Sequence, residues 1–370
     1  MRSFETGVIE HWPLTRSILS LTNQLAEYRG KQALYQRQIP QVLDTLRRHA
    51  IIQSTESSNR IEGITVPSRR FDSIMRNEAT PRTRSEAEIA GYRDVLRMIH
   101  DSHENMKLTP SLILHMHRDL MRYTGTGGQW KINDNFIKEV FPDGTWRVRF
   151  RTVPAWQTAH FVEHLCELFH HYRELQEWPD VLLIAAYVLD FLCIHPFADG
   201  NGRIARLLTL LLLYQSGYIV GRYISLERVI EDTKEQYYDT LYKSSQGWHE
   251  GKHDLLPWFE YFLTMLLEAY QRFEKRVGDV EASMKRGWKK ERVVQIVNDF
   301  IADFSIADVE ELCPGISRAL ITRVLNEMSR NGDIECIQHG RYARWIRRDA
   351  VQQDRQAPGT QQLSLFDSIE

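Results

Sequence analysis

Residues His195–Arg206 read HPFADGNGRIAR. An apolar run, VLLIAAYVLDFLCI (181–194), precedes them, and a second, IARLLTLLLLYQSGY (204–218), overlaps their end. Runs of this length predict two core helices, 180–194 and 201–216, with a polar turn wedged between them. His195 ends the first helix and Gly200-Asn201-Gly202 opens the second. A helix N-terminus leaves amides unpaired at the positive end of the macrodipole, which suits an anion. Glycines let backbone approach a phosphate closely. Arg203 and Arg206, three apart, share a helix face, and two guanidiniums fit several phosphates. Asp199 would repel those phosphates unless a cation lay between, and one carboxylate with substrate phosphates is a common way to hold Mg2+. His195 can then act as general base near neutral pH. Singly, each residue has an ordinary packing or turn explanation; together they do not. No GxxxxGK[ST] loop elsewhere offers a competing phosphate site.

Outward from this turn, the chain reads as mainly α. Residues 14–50 predict two helices, ESSNRIEGITV a short helix stopped at Gly63, and 83–101 and 109–123 two more. GQWKINDNFIKEVFPDGTWRVRFRTVPA is the one β-like stretch of the first 250 residues, a hairpin turning at PDGT. Helices resume at 157–177, then near 227–246 and 254–276. Composition turns basic around 277–292 (MKRGWKKER), and 291–348 reads helix, short helix, turn, helix, hairpin, the order of a winged helix-turn-helix. With 370 residues, two or three domains are expected, and 42% hydrophobic residues suffice for a core. A net charge of −2 excludes a chain that is a polyanion binder throughout. Cys166, Cys193, Cys313 and Cys336 show no CxxC spacing, which argues against a structural zinc and for free thiols. The N-terminus has no signal-like segment, and the longest apolar runs are too short to span a bilayer, so a soluble cytoplasmic protein is expected.

HPFADGNGRIAR matches, at every fixed position, the signature HPFx[DE]GN[GK]RxxR, and the chain on this ground resembles the Fic family. The resemblance covers about residues 40–276. It implies a helical bundle with a β-hairpin flap, and transfer of AMP from ATP to a Ser, Thr or Tyr hydroxyl of a target protein. In that reading His195 is the base and Asp199 holds Mg2+. Gly200, Asn201, Gly202, Arg203, Ile204, Ala205 and Arg206 receive the phosphates, with Arg203 on the inner ones and Arg206 on the γ-phosphate. Tyr237 and Tyr238 flank adenine. Val148, Arg149, Phe150 and Arg151 form the flap strand that pairs with the target segment. Ser245 stands where a relative has an asparagine near the base, which leaves base preference open. SSNRIEG resembles the inhibitory [ST]xxxE[GN] helix of the family. Ser58, Glu62 and Gly63 would then place a carboxylate on Arg206 in the position of the γ-phosphate. In some relatives that glutamate orients water to remove AMP, so the reverse reaction is also open.

The resulting domain scheme is a 1–105 helical region carrying an inhibitory helix at about 54–63, a 106–276 catalytic core, a 277–290 linker, a small α+β winged domain at 291–348, and a disordered tail at 349–370. Residues 285–348 hold 12 Lys/Arg and 9 Asp/Glu, a net of +3 that is too small to decide between DNA and protein as partner. Arg318, Arg323, Asn326 and Arg330 on the recognition helix, with Arg341, Arg344, Arg347 and Arg348 on the wing, are the candidate DNA contacts. Gln362, Leu363, Ser364, Leu365 and Phe366 resemble a short peptide that docks on the replication sliding clamp. A homodimer is compatible with the chain, and no membrane partner is expected. Two rivals remain: a DNA-binding transcriptional regulator whose core only senses nucleotide, and phosphoryl transfer. The second is disfavoured by Gly202, where the phosphotransferase branch has lysine.

Overall fold

The computed structural model describes residues 2–38, 40–125, 127–140, 145–284, 288–300, 303–313, 315–338, 340 and 343–348. These fall into two compact units, 1–277 and 278–370. The N-terminal helical region and the expected catalytic core thus belong to one body. No described helix is long and apolar enough to cross a membrane.

The first unit opens with α1 (Thr6–Ile9), α2 (Arg16–Gln38), α3 (Pro40–Ile61), α4 (Ser68–Met75), α5 (Arg84–Ser102) and α6 (Pro110–Leu120). The antiparallel hairpin β1 (Phe136–Val140) and β2 (Trp146–Arg151) follows, with a bulge between Ile137 and Lys138. Then come α7 (Thr158–Leu175), α8 (Asp180–Ile194), α9 (Asn201–Gln215), α10 (Leu226–Asp232), α11 (Lys234–Ser245) and α12 (Leu256–Met284). The PDGT turn itself lies mostly outside the described residues.

Helix α8 is the centre of the bundle, because every residue from Val181 to Ile194 is buried. Such a helix is apolar all round, as its sequence reads. The one acid in this buried stretch, Asp190, is anchored by Ser3, whose backbone N–H and hydroxyl both donate to it, and by Trp248 Nε1, which donates at 2.6 Å. The interruption in the apolar run therefore pins the N-terminal segment to the core. α9 packs beside α8 with Leu207, Leu208, Leu211 and Leu212 at zero exposure.

Two expected elements differ. The short inhibitory helix at about 54–63 is not separate: α3 runs unbroken to Ile61. Its Ser/Thr/Asn run, which suggests a break, is buried, and Thr55 and Asn59 back-bond to the Ile51 and Thr55 carbonyls within the helix. The helix then stops where glycine allows it, at Gly63 with φ +78°. The expected helix 227–246 divides at Thr233, whose hydroxyl reaches the Val229 carbonyl and Tyr261 instead of continuing the turn.

The second unit holds α13 (Trp288–Asp299), β3 (Phe304–Ser305), α14 (Ile306–Leu312), α15 (Arg318–Asn331), β4 (Ile334–Gln338) and β5 (Arg344–Arg347). Its antiparallel sheet has the order β3-β5-β4. Val293, Val297, Phe304, Ile321, Leu325 and Trp345 form its core. The expected linker 277–290 is helical as far as Met284 and again from Trp288. Arg341 and the tail 349–370, with Gln362 to Phe366, lie outside the described residues.

Candidate nucleotide site

The turn between α8 and α9 forms one wall of a cleft of about 540 Å3, a size typical of small-molecule sites. Glu62, Arg149, Phe150, His195, Asp199, Gly200, Asn201, Gly202, Arg203, Arg206, Tyr237, Tyr238 and Ser245 all line it. The sequence thus brings together residues from α3, β2, the turn, α9 and α11.

His195 has φ +51°, a left-handed conformation uncommon for any residue but glycine. That kink ends α8. Its Nδ1 lies 3.3 Å from the Leu192 carbonyl, which can only accept, so Nδ1 carries the proton and Nε2 is left as acceptor. Burial pushes the imidazole down to about 4, against smaller raising effects from the Leu192 bond and from Glu62 and Asp199. The ring is therefore neutral above about pH 5.

α9 begins at Gly200, φ +82°. Among the described residues the Asn201, Gly202 and Arg203 amides meet no acceptor, so the helix start is open to an anion. The Ile204 amide is spent on the Gly200 carbonyl, and Ile204 and Ala205 pack into the core. These two residues therefore offer nothing to a ligand beyond helix position. The Asn201 side chain also departs from the expected phosphate role. Its Oδ1 accepts from Phe197 N–H at 2.9 Å and its Nδ2 donates to the Phe197 carbonyl at 2.8 Å, so the side chain closes the turn from within.

Arg206 is buried and already engaged. It donates to Glu62 Oε1 at 2.7 Å, to Ser58 Oγ at 2.8 Å and to the Ser58 carbonyl at 3.0 Å. A Cβ added at Gly202 would run into the same carboxylate, so the glutamate lies directly against the open helix start. Glu62 is carried there by the end of α3, which Arg60 fastens to Glu231 of α10 with two bonds and Lys234 caps through the Ile61 carbonyl.

Arg203, also buried, donates to Glu88 Oε2 at 2.6 Å and lies 3.4 Å from Asp199 Oδ1. Arg84 joins the two acids, reaching Glu88 Oε1 at 2.7 Å and Asp199 Oδ2 at 2.8 Å. The Asp199 carboxylate is half exposed and also accepts from Gly200 N–H. Among the described residues no cluster of three ligating side chains exists. A lone, accessible carboxylate beside an anion site fits Mg2+ held mostly by substrate phosphates, provided Arg84 yields its oxygen.

Tyr237 is buried and Tyr238 half-buried, their rings 5.1 Å apart at 62°. Ser245 sits in the wall with its hydroxyl donating to the Tyr242 carbonyl. On the hairpin, Arg149 bonds the Tyr238 carbonyl and lies 4.6 Å over the Tyr242 ring, which ties β2 to α11. Phe150 faces the core, whereas Val148 and Arg151 face outward. Gly63 ends α3 with its positive φ.

Several supporting residues carry no sequence signal. His117 Nδ1 accepts from Gly128 N–H, so its Nε2 donates to the Asp199 carbonyl at 3.1 Å. The ring stacks on Phe197 at 3.7 Å and is held neutral by burial, at about 4. Glu88, Arg84, Lys131 and Asn135 likewise come from stretches with no recognisable spacing.

Residues 107–213 match the model of the Fic/DOC family, and the chain carries a Fic/DOC domain there. A Fic family protein from Desulfovibrio desulfuricans G20 shares the fold over 91% of this chain and 97% of its own, at 20% identity and TM-score 0.57. A Fic domain containing signaling protein from Bacteroides thetaiotaomicron VPI-5482 covers 69% of this chain and 94% of its own, at 21% identity and TM-score 0.55. Fic-1 (aa134–508) from C. elegans covers 71% of this chain and 73% of its own, at 19% identity and TM-score 0.58.

Proposed function

We propose that this protein transfers AMP from ATP to a hydroxyl of a target protein and is held off by its own Glu62. The observation that carries the reading is the pairing at Arg206. A buried guanidinium at the floor of an anion-binding cleft is satisfied by a carboxylate from a distant helix, as a phosphate would satisfy it.

In the active state Glu62 leaves, and the phosphates take the open amides of α9 with Arg203 and Arg206. His195 Nε2 accepts the proton of the target hydroxyl as that oxygen attacks the α-phosphorus. The bond to pyrophosphate breaks on the opposite side. Mg2+ at Asp199, when bound, neutralises phosphate charge, and the chain's remaining work is positioning and electrostatics. Tyr237 and Tyr238 supply an aromatic wall for the base. β2, with outward-facing Val148, offers a strand edge to the target.

Intact-mass analysis of the Glu62→Gly chain after incubation with ATP tests this. Added AMP supports it, and added phosphate alone would replace it with phosphoryl transfer. His195→Ala should abolish the addition while nucleotide binding persists, because the base acts in the transition state.

For the second unit we propose a winged helix-turn-helix role, supported by its element order and by Arg323, Asn326 and Arg330 exposed on α15. Arg318, Arg344 and Arg348 already pair with Glu310, Asp303 and Glu335, which leaves less cationic surface for DNA than the sequence suggests. Clamp docking by 362–366 and homodimer formation stay as proposals from sequence alone.

A further inference from the structure

We propose that Lys131 is a positioning residue for His195, holding the backbone on both sides of it and joining that backbone to both roots of the β1–β2 hairpin. The side chain is 4% exposed. A lysine is seldom buried without a partner that repays its desolvation. Here Nζ has three protons and meets three oxygens: Ile194 O at 3.0 Å, Asn135 Oδ1 at 2.8 Å and Thr152 Oγ1 at 2.8 Å. The Ile194 carbonyl is one of those left over at the C-terminus of α8, where a cation is favoured. The Lys131 amide donates to the Pro196 carbonyl at 2.9 Å. One residue thus grips the carbonyls of the residues before and after His195.

Asn135 extends the grip to the Phe197 carbonyl at 2.9 Å. Asn135 immediately precedes β1 and Thr152 immediately follows β2, and the Thr152 hydroxyl donates to the Asn135 carbonyl at 2.8 Å. The ammonium therefore sits at the junction of hairpin and base. An unprotonated amine would keep two donors and turn a lone pair toward an oxygen, breaking one arm of the junction.

Burial lowers this lysine to about 8, and Asp134 is the one charge that opposes the shift. The titratable groups around it are Asp134 on its own loop and His195 at the end of α8. His117 of α6, Asp199 of the turn, and Arg82 and Arg84 at the start of α5 line the adjoining cleft with it. The ammonium also lowers His195, which helps keep Nε2 free of a proton.

The test uses the full chain in the Glu62→Gly background, with Lys131→Met and Lys131→Arg. NMR titration of the His195 imidazole is the primary readout, and it does not depend on the AMP-transfer reading. Lys131→Met should raise the His195 midpoint, because the ammonium is one of the groups that lower it. An unmoved midpoint would overturn the proposal. The rate readouts rest on AMP transfer. Lys131→Met should slow it at least tenfold at pH 7.5 with nucleotide affinity unchanged. Equal loss of affinity and rate would make Lys131 merely structural. With lysine at 131 the rate should decline above about pH 8 as the amine loses its proton; Lys131→Arg should restore most of the rate and remove that decline, since arginine does not titrate there. Persistence of that decline would count against the lysine as its source. Should Lys131→Met fail to fold, the Lys131→Arg profile decides alone. Should no variant transfer AMP, the His195 midpoint decides.

Discussion

Replacing Glu62 with glycine removes the carboxylate from Arg206 and leaves the rest of α3 in place. The pair lies at 2.7 Å, with side-chain exposures of 32% for Glu62 and 3% for Arg206. Unscreened contact at an effective dielectric of 20 would be worth about 6 kcal/mol at that distance. A charge-assisted bond with one partly solvated partner contributes about 1.5–3 kcal/mol net. Arg206 keeps its two bonds to Ser58 after the change, so the loss is one contact and not a collapse. Taking about 2 kcal/mol, the cleft opens to the γ-phosphate about 30-fold more readily. The assay is auto-modification with labelled ATP at subsaturating concentration, alongside calorimetry of nucleotide binding. Both should rise by about that factor in Glu62→Gly and by less in Glu62→Gln, which keeps the shape. Arg206→Ala should block the gain, because the receiving guanidinium is gone. A folded Glu62→Gly chain with parental activity and parental affinity would refute the inhibitory role of this contact.

Three further outcomes follow from the geometry. Asn201→Ala should lower the melting temperature by several degrees and nucleotide affinity little, since a buried bond left unmade costs about 1–3 kcal/mol and the amide faces Phe197 and not the cleft; the reverse pattern would restore a phosphate role. Arg84→Gln should tighten Mn2+ binding modestly, as an exposed ion pair that competes for the Asp199 oxygen is weak; paramagnetic titration of Mn2+ with a nucleotide analogue reads it, and an unchanged constant removes Arg84 as competitor. Stability should fall as pH drops from about 6.5 towards 4, because His100, His117 and His195 are lowered by burial to about 3, 4 and 4, so the unfolded chain takes up protons that the folded one refuses; denaturant midpoints flat across that window would contradict these shifts.

The helix boundaries around the site were legible because α8 and α9 are almost wholly apolar and the turn between them is full of punctuation. Glu62 and Arg206 were legible as a pair only through resemblance: they lie 144 positions apart, and no periodicity connects them. The inward bonds of the Asn201 side chain were not legible, because sequence cannot say whether an amide beside two glycines faces a ligand or its own turn. Lys131, Glu88 and His117 were missed for a common reason. Each is an isolated polar residue whose importance depends on which carbonyl or guanidinium the fold brings to it. The continuity of α3 was also hidden: Ser, Thr and Asn favour local bonds that compete with helix, and here burial of Ser54, Thr55, Ser57, Ser58 and Asn59 overrides that preference.

The tether between Glu62 and Arg206 has a quantitative consequence. On the functional reading above, a carboxylate fixed to the end of α3 is a ligand whose local concentration never changes, whereas ATP would have to compete from solution. A closed-to-open ratio of about 30 would raise the apparent dissociation constant of the nucleotide about 30-fold over its intrinsic value. The fold would then work as a comparator. Its reference value is written into the Arg60–Glu231 and Lys234–Ile61 fastenings that keep α3 down. Loosening either fastening would lower the nucleotide concentration at which the enzyme turns on, without altering any atom that touches the nucleotide.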